Sequence, residues 1–479
     1  MKKGITRRDF LRGAAAIGAG MGMGLSPWTS DAARLPGGSL LDLPAASSPI
    51  DTIVVMMMEN RSFDHYLGWL GSDPTYYETG LSLYGRFKIN AITNTSYEDP
   101  NDGDVQTFPI VPGPDANPWR GCGHPDPGHG WNAGRAERDG GFLATGSGND
   151  EFALTFYRGE DLPFYSAISR NFTVCDRYHC SLLGPTFPNR EYLHSAQSGG
   201  IKTNALPGQV GYPTGFTWDT IWDRLMAASV PARYYYTDLP VTALWGSRLA
   251  PIASTMANYF NDAAAGTLPN VVFLDPGFGT DLRTDEHPHG DVRDGQRLVE
   301  NCMRAFVESP HWGNGVFILT YDEWGGFFDH VRPARFRDDR ASKVDQENFG
   351  QGGFRVPTRI VSPYARPNFV DHTLYDHTSI LRFIEWRFLG APPRGRGHTG
   401  DRWYLTTRDR NARNIGWSLK PDSPNLDFDA PSANPDTSVP CGSELPAPSA
   451  LLAPPPPHDL DRGREWFASL GYEIGTWKP

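Results

Sequence analysis

Two stretches of the sequence end an apolar run with oxygen-bearing side chains, which have the chemistry of a cation site. In the first, the run Thr-Ile-Val-Val-Met-Met-Met precedes Glu59 and Asn60. In the second, Val-Phe-Ile-Leu-Thr-Tyr precedes Asp322, Glu323 and a Gly-Gly pair. Carboxylate and amide oxygens suit hard divalent cations. Taken alone, each stretch is equally well explained as a strand capped by polar residues where it meets solvent.

The two apolar runs have the length and composition of strands buried on both faces of a parallel sheet. The carboxyl ends of such strands lie at one edge, where open α/β sheets bind their ligands. Unpaired carboxylates gathered there would repel one another and raise each other's pKa. We therefore predict that Glu59, Asn60, Asp322 and Glu323 hold one divalent cation, against the alternative of two unrelated acidic turns.

A hydroxyl group stands in the turn Gly-Pro-Thr186-Phe-Pro-Asn189-Arg, just before a helix predicted over Glu191–Ala196. Backbone N–H groups and the helix dipole favour anions at such a position. A threonine hydroxyl beside a dication is acidified and can attack phosphorus. The sequence thus predicts Thr186 as a nucleophile, whereas the commoner role of a threonine seen alone is an N-cap.

Several histidines lie in segments rich in Gly, Pro and Asp, where backbone turns can bring them to a site. Those that we select are His129, His287, His289 and His330. A protonated imidazole can bind phosphate oxygens or protonate a leaving alkoxide. Each of them, taken singly, would more often be structural or at the surface.

The alternation of strand and helix patterns predicts an α/β fold with a doubly wound, mostly parallel central sheet and helices on both faces. Strands are predicted over 51–58, 171–176, 232–236, 270–274, 316–321 and 355–361, and helices over 162–170, 191–196, 218–228, 294–307 and 377–388. Residues 71–150 are rich in Gly, Asp, Asn and Pro, and predict a long loop excursion over the sheet.

The chain divides into four segments by composition. Residues 1–33 combine Thr-Arg-Arg-Asp-Phe-Leu with an apolar stretch that is too short for a membrane span, which predicts a twin-arginine signal peptide. Residues 34–50 are predicted to be a linker, 51–410 the main domain, and 411–479 a Pro-rich tail with a final helix. We expect the twin-arginine translocase to export the chain to the periplasm or beyond, and a basic start before an Ala-rich helix is the alternative.

Composition excludes some classes of partner. The net charge of −11 argues against nucleic acid and against tight adsorption to anionic lipid, but permits transient contact with a zwitterionic membrane surface. Five cysteines permit one or two disulfides and leave at least one thiol unpaired. There is no Cys-x-x-Cys, which argues against a thiolate zinc site.

Four motifs resemble the phosphoesterase family. They are Glu-Asn-Arg-Ser-Phe-Asp-His-Tyr at 59–66, Thr-Phe-Pro-Asn-Arg at 186–190, Glu-His-Pro at 286–288, and Tyr-Asp-Glu-Trp-Gly-Gly-Phe-Phe-Asp-His-Val at 321–331. That family includes bacterial phosphatidylcholine-hydrolysing phospholipases C, plant non-specific phospholipases C and a metal-dependent acid phosphatase. The resemblance covers about residues 51–390. It implies an alkaline-phosphatase-like fold and a phosphoesterase catalytic domain.

The resemblance also implies a role for each matching residue. The metal ligands implied are Glu59, Asn60, Thr186, Asp322 and Glu323, with Thr186 as nucleophile. The catalytic or phosphate-binding residues implied are His129, His287 and His330, and we predict further substrate contacts for His289 and Asn189. The oxygen ligands leave the metal open among Ca, Mg, Mn, Fe and Zn.

These features together predict an exported, metal-dependent phosphoric ester hydrolase. Its expected activity is that of a phospholipase C, which cleaves phosphatidylcholine-like phospholipids to diacylglycerol and a phosphorylated head group. One alternative is an acid phosphatase with broad specificity for small phosphomonoesters. Others are a secreted protein that only binds phosphate or a lipid head group, and a structural protein of the cell envelope.

Overall fold

The computed structural model describes residues 37–85, 87–91, 96–99, 103–110, 119–279, 283–395, 403–433 and 459–475. The predicted signal peptide and residues 434–458 and 476–479 of the predicted tail lie outside these ranges. Ser39–Pro479 forms one compact unit, and of the unit Met1–Gly38 only Gly37 and Gly38 are described. No helix in the described ranges has the length and apolar character that crossing a membrane requires.

Eight strands form the central sheet, and two small two-stranded sheets lie outside it. The described strands are β1 (Thr52–Met58), β2 (Ser96–Asp99), β3 (Gly103–Gln106), β4 (Phe108–Pro109), β5 (Thr155–Phe156), β6 (Thr173–Cys175), β7 (Ala232–Tyr236), β8 (Ala253–Thr255), β9 (Val271–Asp275), β10 (Gly315–Tyr321), β11 (Thr358–Val361) and β12 (Phe369–Asp371). The order in the central sheet is β12-β6-β11-β10-β1-β9-β7-β8. Only β11 runs antiparallel to its neighbours in this sheet, so the prediction of a mostly parallel α/β sheet is confirmed.

The pairing of β1 with β10 sets the position of the two acid-tipped strand ends. The strands are parallel, and Met58 pairs with Tyr321, the last residue of each. Every residue of both strands is buried, as expected for apolar runs covered on both faces. This register places Glu59 and Asp322 side by side, just beyond the carboxyl edge of the sheet.

Helices flank the central sheet and connect its strands. The described α-helices are α1 (Phe63–Leu67), α2 (Pro74–Tyr84), α3 (Trp131–Gly140), α4 (Pro163–Asn171), α5 (Thr186–Ser195), α6 (Ile221–Ala227), α7 (Met256–Ala265), α8 (Val292–Val307), α9 (Thr378–Ile384), α10 (Thr407–Asn411) and α11 (Arg464–Ser469). The largest shift from a predicted boundary is at α5, which begins at Thr186 rather than Glu191. Pro188 suggested a turn, but proline is tolerated in the first helical turn, where its missing N–H has no intrahelical partner.

The predicted excursion over residues 71–150 contains more regular structure than its composition suggested. It holds α2, α3 and the antiparallel pair β2 and β3. Asp73 caps α2 by accepting the Tyr76 N–H at 2.9 Å, and Gly85 ends it with φ of +67°. Such short, locally capped elements give a weak periodic signal in sequence, which is why they were not predicted.

Both ends of the compact unit are anchored to its body. Leu40 and Leu41, in the predicted linker, are buried, and the Leu40 N–H donates to Leu419 O at 2.8 Å. Near the other end, Phe467 of α11 is buried and the Tyr472 hydroxyl donates to Gly246 O at 3.0 Å.

Three of the described cysteines are free thiols, more than the minimum of one that the odd cysteine count requires. Cys122 is disulfide-bonded. Cys175, Cys180 and Cys302 are free and buried, and burial raises the pKa of each thiol. Buried thiols of raised pKa are poor nucleophiles, so the described cysteines do not suggest a reactive site.

Candidate active site

The ends of β1 and β10 meet in a cluster of fully buried oxygen atoms. Asp322 Oδ1 accepts the backbone N–H groups of Asn60 at 3.1 Å and Glu323 at 2.7 Å. Glu323 Oε2 accepts the Gly325 N–H at 2.7 Å. Asn60 Oδ1, Asp322 Oδ2 and Glu323 Oε1 are buried and have no hydrogen-bond partner in the part of the chain that is described. Such atoms cost about 1–3 kcal/mol each when left unsatisfied, so the cluster fits a ligand that accepts oxygen lone pairs.

The charge of this cluster points to a cation. Arg190 lies 3.1 Å from Glu59 Oε1, 3.0 Å from Asp275 Oδ1 and 3.6 Å from Asp322 Oδ2. Its single guanidinium therefore faces three carboxyl groups, and Glu323 adds a fourth. Burial and the charge of Glu59 raise the pKa of Asp322, and burial and the charge of Asp322 raise that of Glu323. A divalent cation among these oxygens would offset both effects.

Thr186 is the first residue of α5, and it does not cap the helix. Pro185 occupies the N-cap position, and no side-chain hydrogen bond is made there. The alternative drawn from sequence, that Thr186 serves only as an N-cap, therefore does not apply. Arg190 follows Thr186 by four residues, so the two side chains share one face of α5. Because Arg190 contacts Glu59 and Asp322, that face is the one turned to the strand ends.

The Asn189 side chain makes hydrogen bonds to the backbone rather than the substrate contact predicted for it. Its Oδ1 accepts the Leu182 N–H at 2.8 Å. Its Nδ2 donates to the carbonyl oxygens of Leu182 at 3.2 Å, Gly184 at 2.7 Å and Pro185 at 3.2 Å. The amide is fully buried and its donors and acceptor are used by the turn before Thr186. Asn189 therefore holds Thr186 in place rather than facing a ligand.

The Gly325-Gly326 turn lets two loops approach the strand ends. Gly325 has φ of +65°, and a Cβ there would lie 2.1 Å from Asn60 O. Gly326 has φ of +71°, and its Cβ would lie 2.7 Å from Gly128 O. Only glycine fits both the left-handed backbone and the close approach. The turn thus seats the loops that carry Asn60 and His129.

Replacing Gly325 with alanine is expected to displace Asn60 and weaken metal binding. The matched control is Gly148→Ala, because Gly148 also has positive φ, +85°, but a Cβ there meets nothing within 4 Å. Both variants carry backbone strain, and only Gly325→Ala adds a steric clash, which we expect to cost about 1–3 kcal/mol more in unfolding free energy. Urea unfolding of the two variants measures this difference. Equal losses in both would contradict the packing role of Gly325.

Two of the predicted histidines lie together near Asn60. His129 Nε2 is 3.4 Å from Asn60 Nδ2, and the ring centroids of His129 and His287 are 5.4 Å apart. His129 Nδ1 lies 2.8 Å from Pro127 O, and His287 Nδ1 contacts Pro288 O. Since a carbonyl oxygen only accepts, each Nδ1 carries a proton, and Nε2 is the atom that can exchange one.

An acidic residue that was not predicted completes this histidine group. Asp126 Oδ2 is 3.7 Å from His287 Nε2, and a ligand atom from each of Asp126, His129 and His287 lies within 4.8 Å of the others. Burial raises the pKa of Asp126. The group therefore combines proton-exchanging imidazoles with a nearby carboxyl.

His330 lies in a separate cluster. Its Nδ1 is 2.5 Å from Asp64 Oδ2 and its Nε2 is 2.9 Å from Asn90 Oδ1. Arg355 Nη2 donates to Asp64 Oδ1 at 3.1 Å. Both ring nitrogens are thus engaged, and no contact of His330 within the described ranges reaches the strand-end oxygens. The structure does not bring His330 together with the other predicted catalytic residues.

His289 connects two loops instead of facing the strand-end oxygens. Its Nε2 donates to His124 O at 2.9 Å. The bond connects the loop before α8 with the loop that carries Asp126 and His129. This hydrogen bond helps to hold His129 and His287 near each other, and the substrate contact predicted for His289 stays a prediction.

Comparison with known proteins identifies the family. A model of the Phosphoesterase family matches residues 50–389 of this chain. The chain belongs to the phosphoesterase family. It is accordingly a phosphoric ester hydrolase, as predicted from the four motifs.

Relatives of this phosphoesterase come from plants and bacteria. It is 31% identical over 434 residues to "Non-specific phospholipase C5" of Arabidopsis thaliana, covering 81% of this chain and 78% of the relative. It is 31% identical over 449 residues to "Phospholipase C B" of Mycobacterium tuberculosis (strain ATCC 25618 / H37Rv), covering 81% and 82%. Among solved structures, a protein in the alkaline phosphatase superfamily from Vibrio parahaemolyticus matches at 10% identity with a TM-score of 0.34, covering 72% of this chain and 74% of the other.

Besides Asp126, three residues of the phosphoesterase site make contacts that were not predicted from the sequence, although one of the three carried a readable signal. Asp275 ends the buried strand Val-Val-Phe-Leu-Asp, the same acid-tipped pattern that identified Glu59 and Asp322. Arg190 lies in a quoted motif, but nothing in its spacing showed that it would contact three carboxyl groups. His377 was predicted at the start of a helix, and its Nε2 donates to Asp322 O at 2.7 Å.

Proposed function

We propose that this phosphoesterase is an exported, metal-dependent phospholipase C that acts on phosphatidylcholine-like phospholipids. The observation that carries the proposal is the set of buried oxygens of Asn60, Asp322 and Glu323 that lack a hydrogen-bond partner among the described residues. The Thr186 face of α5 is turned toward them. The names of relatives with about four-fifths of the chain aligned support the lipid substrate. The twin-arginine sequence near the start of the chain supports export.

The proposed ligand set is Glu59, Asn60, Thr186, Asp322 and Glu323. A divalent cation bound there would offset the negative charge of the carboxylates and acidify the Thr186 hydroxyl. Asn189 and Arg190 hold α5 so that this hydroxyl keeps its position relative to the strand ends. The donor set contains only oxygen, which suits a hard cation.

In the proposed reaction, the acidified Thr186 hydroxyl has released its proton to solvent, and the resulting alkoxide Oγ1 attacks phosphorus in line with the diacylglycerol oxygen. The bond from phosphorus to that oxygen breaks, and a phosphothreonine that still carries the head group forms. His287 donates its Nε2 proton to the departing oxygen. The same nitrogen then takes a proton from the water that cleaves the phosphothreonine and releases the phosphorylated head group. We assign this acid–base role to His287 rather than His330, since both nitrogens of His330 are engaged by Asp64 and Asn90.

Substrate preference is tested with two chromogenic esters on the metal-loaded protein. We expect kcat/KM for p-nitrophenylphosphorylcholine to exceed that for p-nitrophenyl phosphate by about 10-fold or more, because a site built for a diester discriminates by head-group contacts. Vesicles of phosphatidylcholine should release diacylglycerol. A preference for the monoester would instead support an acid phosphatase, and binding without turnover would support a head-group binding protein.

Export is tested separately in a bacterium that has a twin-arginine translocase. Replacing Arg7 and Arg8 together with lysine is expected to leave the chain in the cytoplasm, since the paired arginines form the address that the translocase reads. Cell fractionation with immunoblotting measures this. Equal export of the variant and the unmodified chain would exclude this route.

A further inference from the structure

Arg283 presents unused hydrogen-bond donors beside the histidine group. It lies in the loop between β9 and α8, four residues before His287. Only 9% of its side chain is exposed, and its Nε and Nη1 atoms are buried without a hydrogen-bond partner among the described residues. Its nearest carboxylate oxygen is Asp285 Oδ2, 3.8 Å from Nε, which balances its charge without a hydrogen bond. Buried donors are rarely left unfilled in proteins.

The remaining contact of the Arg283 guanidinium does not provide an acceptor for its N–H groups. Arg283 Nη2 is 3.5 Å from His287 Nδ1. His287 Nδ1 donates its hydrogen to Pro288 O, so it has no lone pair that could accept a hydrogen bond from Arg283. The edge formed by Nη1 and Nη2 therefore has no acceptor in His287.

Two other arginines near the site differ from Arg283. Arg61 donates from Nε to Glu286 O at 2.9 Å and from Nη1 to His65 Nε2 at 3.1 Å. Arg190 donates to Glu59 and Asp275. Arg61 and Arg190 therefore have structural roles in the site. Arg283 instead has buried donors that no group in the described part of the chain fills, as expected of a residue that binds a ligand.

We propose that Arg283 binds a non-bridging phosphoryl oxygen of the substrate, and of inorganic phosphate as a simple analogue. A planar guanidinium with unfilled N–H donors matches a phosphoryl oxyanion, and such charge-assisted hydrogen bonds are short and strong. The contacts from Arg283 to His287, from His287 to His129 and from His129 to Asn60 connect this donor to the strand-end oxygens. The inference rests on the proposed function in assuming a phosphoester ligand.

The test compares Arg283→Gln with the control variant Arg332→Gln. The Arg332 side chain is 71% exposed and pairs with Asp139 at the surface. The dissociation constant of inorganic phosphate is measured by calorimetry on the metal-loaded protein, together with its metal content and Tm. We expect Arg283→Gln to weaken phosphate binding roughly 10- to 100-fold, as for loss of a hydrogen bond to a charged group. Metal content and Tm should match the unmodified protein. A phosphate dissociation constant within two-fold of that of the control, about the spread between replicate titrations, would overturn the proposal.

A second variant keeps the test decisive if Arg283→Gln does not fold. Arg283→Lys retains the charge but lacks the planar fork, so phosphate binding should weaken by several-fold with an unchanged Tm. An unchanged affinity in Arg283→Lys would overturn the proposal. Calorimetry needs no turnover, so it tests phosphate binding by Arg283 separately from the proposed phospholipase activity. Phosphate binding that depends on Arg283, in a protein that hydrolyses no phosphoester, would refute only the proposed function. Hydrolysis of a phosphoester, together with a phosphate affinity that is unchanged in the Arg283 variants, would refute only this inference.

Discussion

Replacing Thr186 with valine is expected to lower kcat on the order of 10⁴-fold or more, the scale seen when a nucleophile is removed from a hydrolase. Valine keeps the shape of threonine and removes only the hydroxyl. Because Pro185 occupies the N-cap of α5, no helix cap is lost with that hydroxyl. The variant should therefore fold normally. Steady-state hydrolysis of p-nitrophenylphosphorylcholine at saturating metal measures the effect.

The matched control is Thr186→Ser, which retains a hydroxyl at the same position. It should keep activity within about 100-fold of the unmodified protein, because the nucleophilic atom is present but less restricted in rotation. Rapid acid quenching followed by mass spectrometry should find phosphorylcholine esterified to residue 186 in both hydroxyl-bearing proteins. Full activity in Thr186→Val with metal bound would exclude the covalent scheme.

Removing divalent cations with EDTA is expected to abolish hydrolysis and to lower Tm. The buried oxygens of Asn60, Asp322 and Glu323 have no hydrogen-bond partner in the ranges that the structure describes. Loss of a cation therefore leaves their lone pairs unsatisfied and the carboxylate charges only partly compensated by Arg190. A ligand present at 1,000 times its dissociation constant stabilises the folded state by about 4 kcal/mol, and chelation should remove a stabilisation of this order. Differential scanning calorimetry and the chromogenic assay measure the two effects.

Adding back single metals identifies the cation. Ca²⁺, Mg²⁺, Mn²⁺, Fe²⁺ and Zn²⁺ should differ in how far each restores activity and Tm, because their preferred coordination differs. The two readouts should recover together, since one bound ion explains both. Unchanged activity and unchanged Tm after complete chelation would show that no cation is needed.

The sheet and the position of its ligand-bearing edge could be predicted because the information is local. The apolar runs of β1 and β10 are continuous, which marks strands buried on both faces. Once two such strands are parallel neighbours, their carboxyl ends must share an edge, so Glu59 and Asp322 come together without any knowledge of side-chain packing. The same reasoning applies to Asp275 at the end of β9, where the signal was present and was not used.

The roles of other residues could not be predicted because they depend on partners far away in the chain. His330 is engaged by Asp64 and Asn90, each more than 200 residues earlier. The amide of Asn189 could equally have faced a ligand or its own turn, and only the folded backbone decides between them. Arg190 joins Glu59 to Asp275 across three segments. Such contacts follow from tertiary packing and have no periodic pattern in sequence.

The central claim is that the strand-end oxygens hold a divalent cation, and metal content tests it most directly. The unmodified protein and the double variant Asp322→Asn with Glu323→Gln are dialysed side by side and analysed by inductively coupled plasma mass spectrometry. We expect about one equivalent of a single divalent metal in the unmodified protein and less than about a tenth of that in the variant, because two of the three proposed carboxylate ligands are lost. Equal metal content in the two proteins, or full activity in a metal-free unmodified protein, would contradict it.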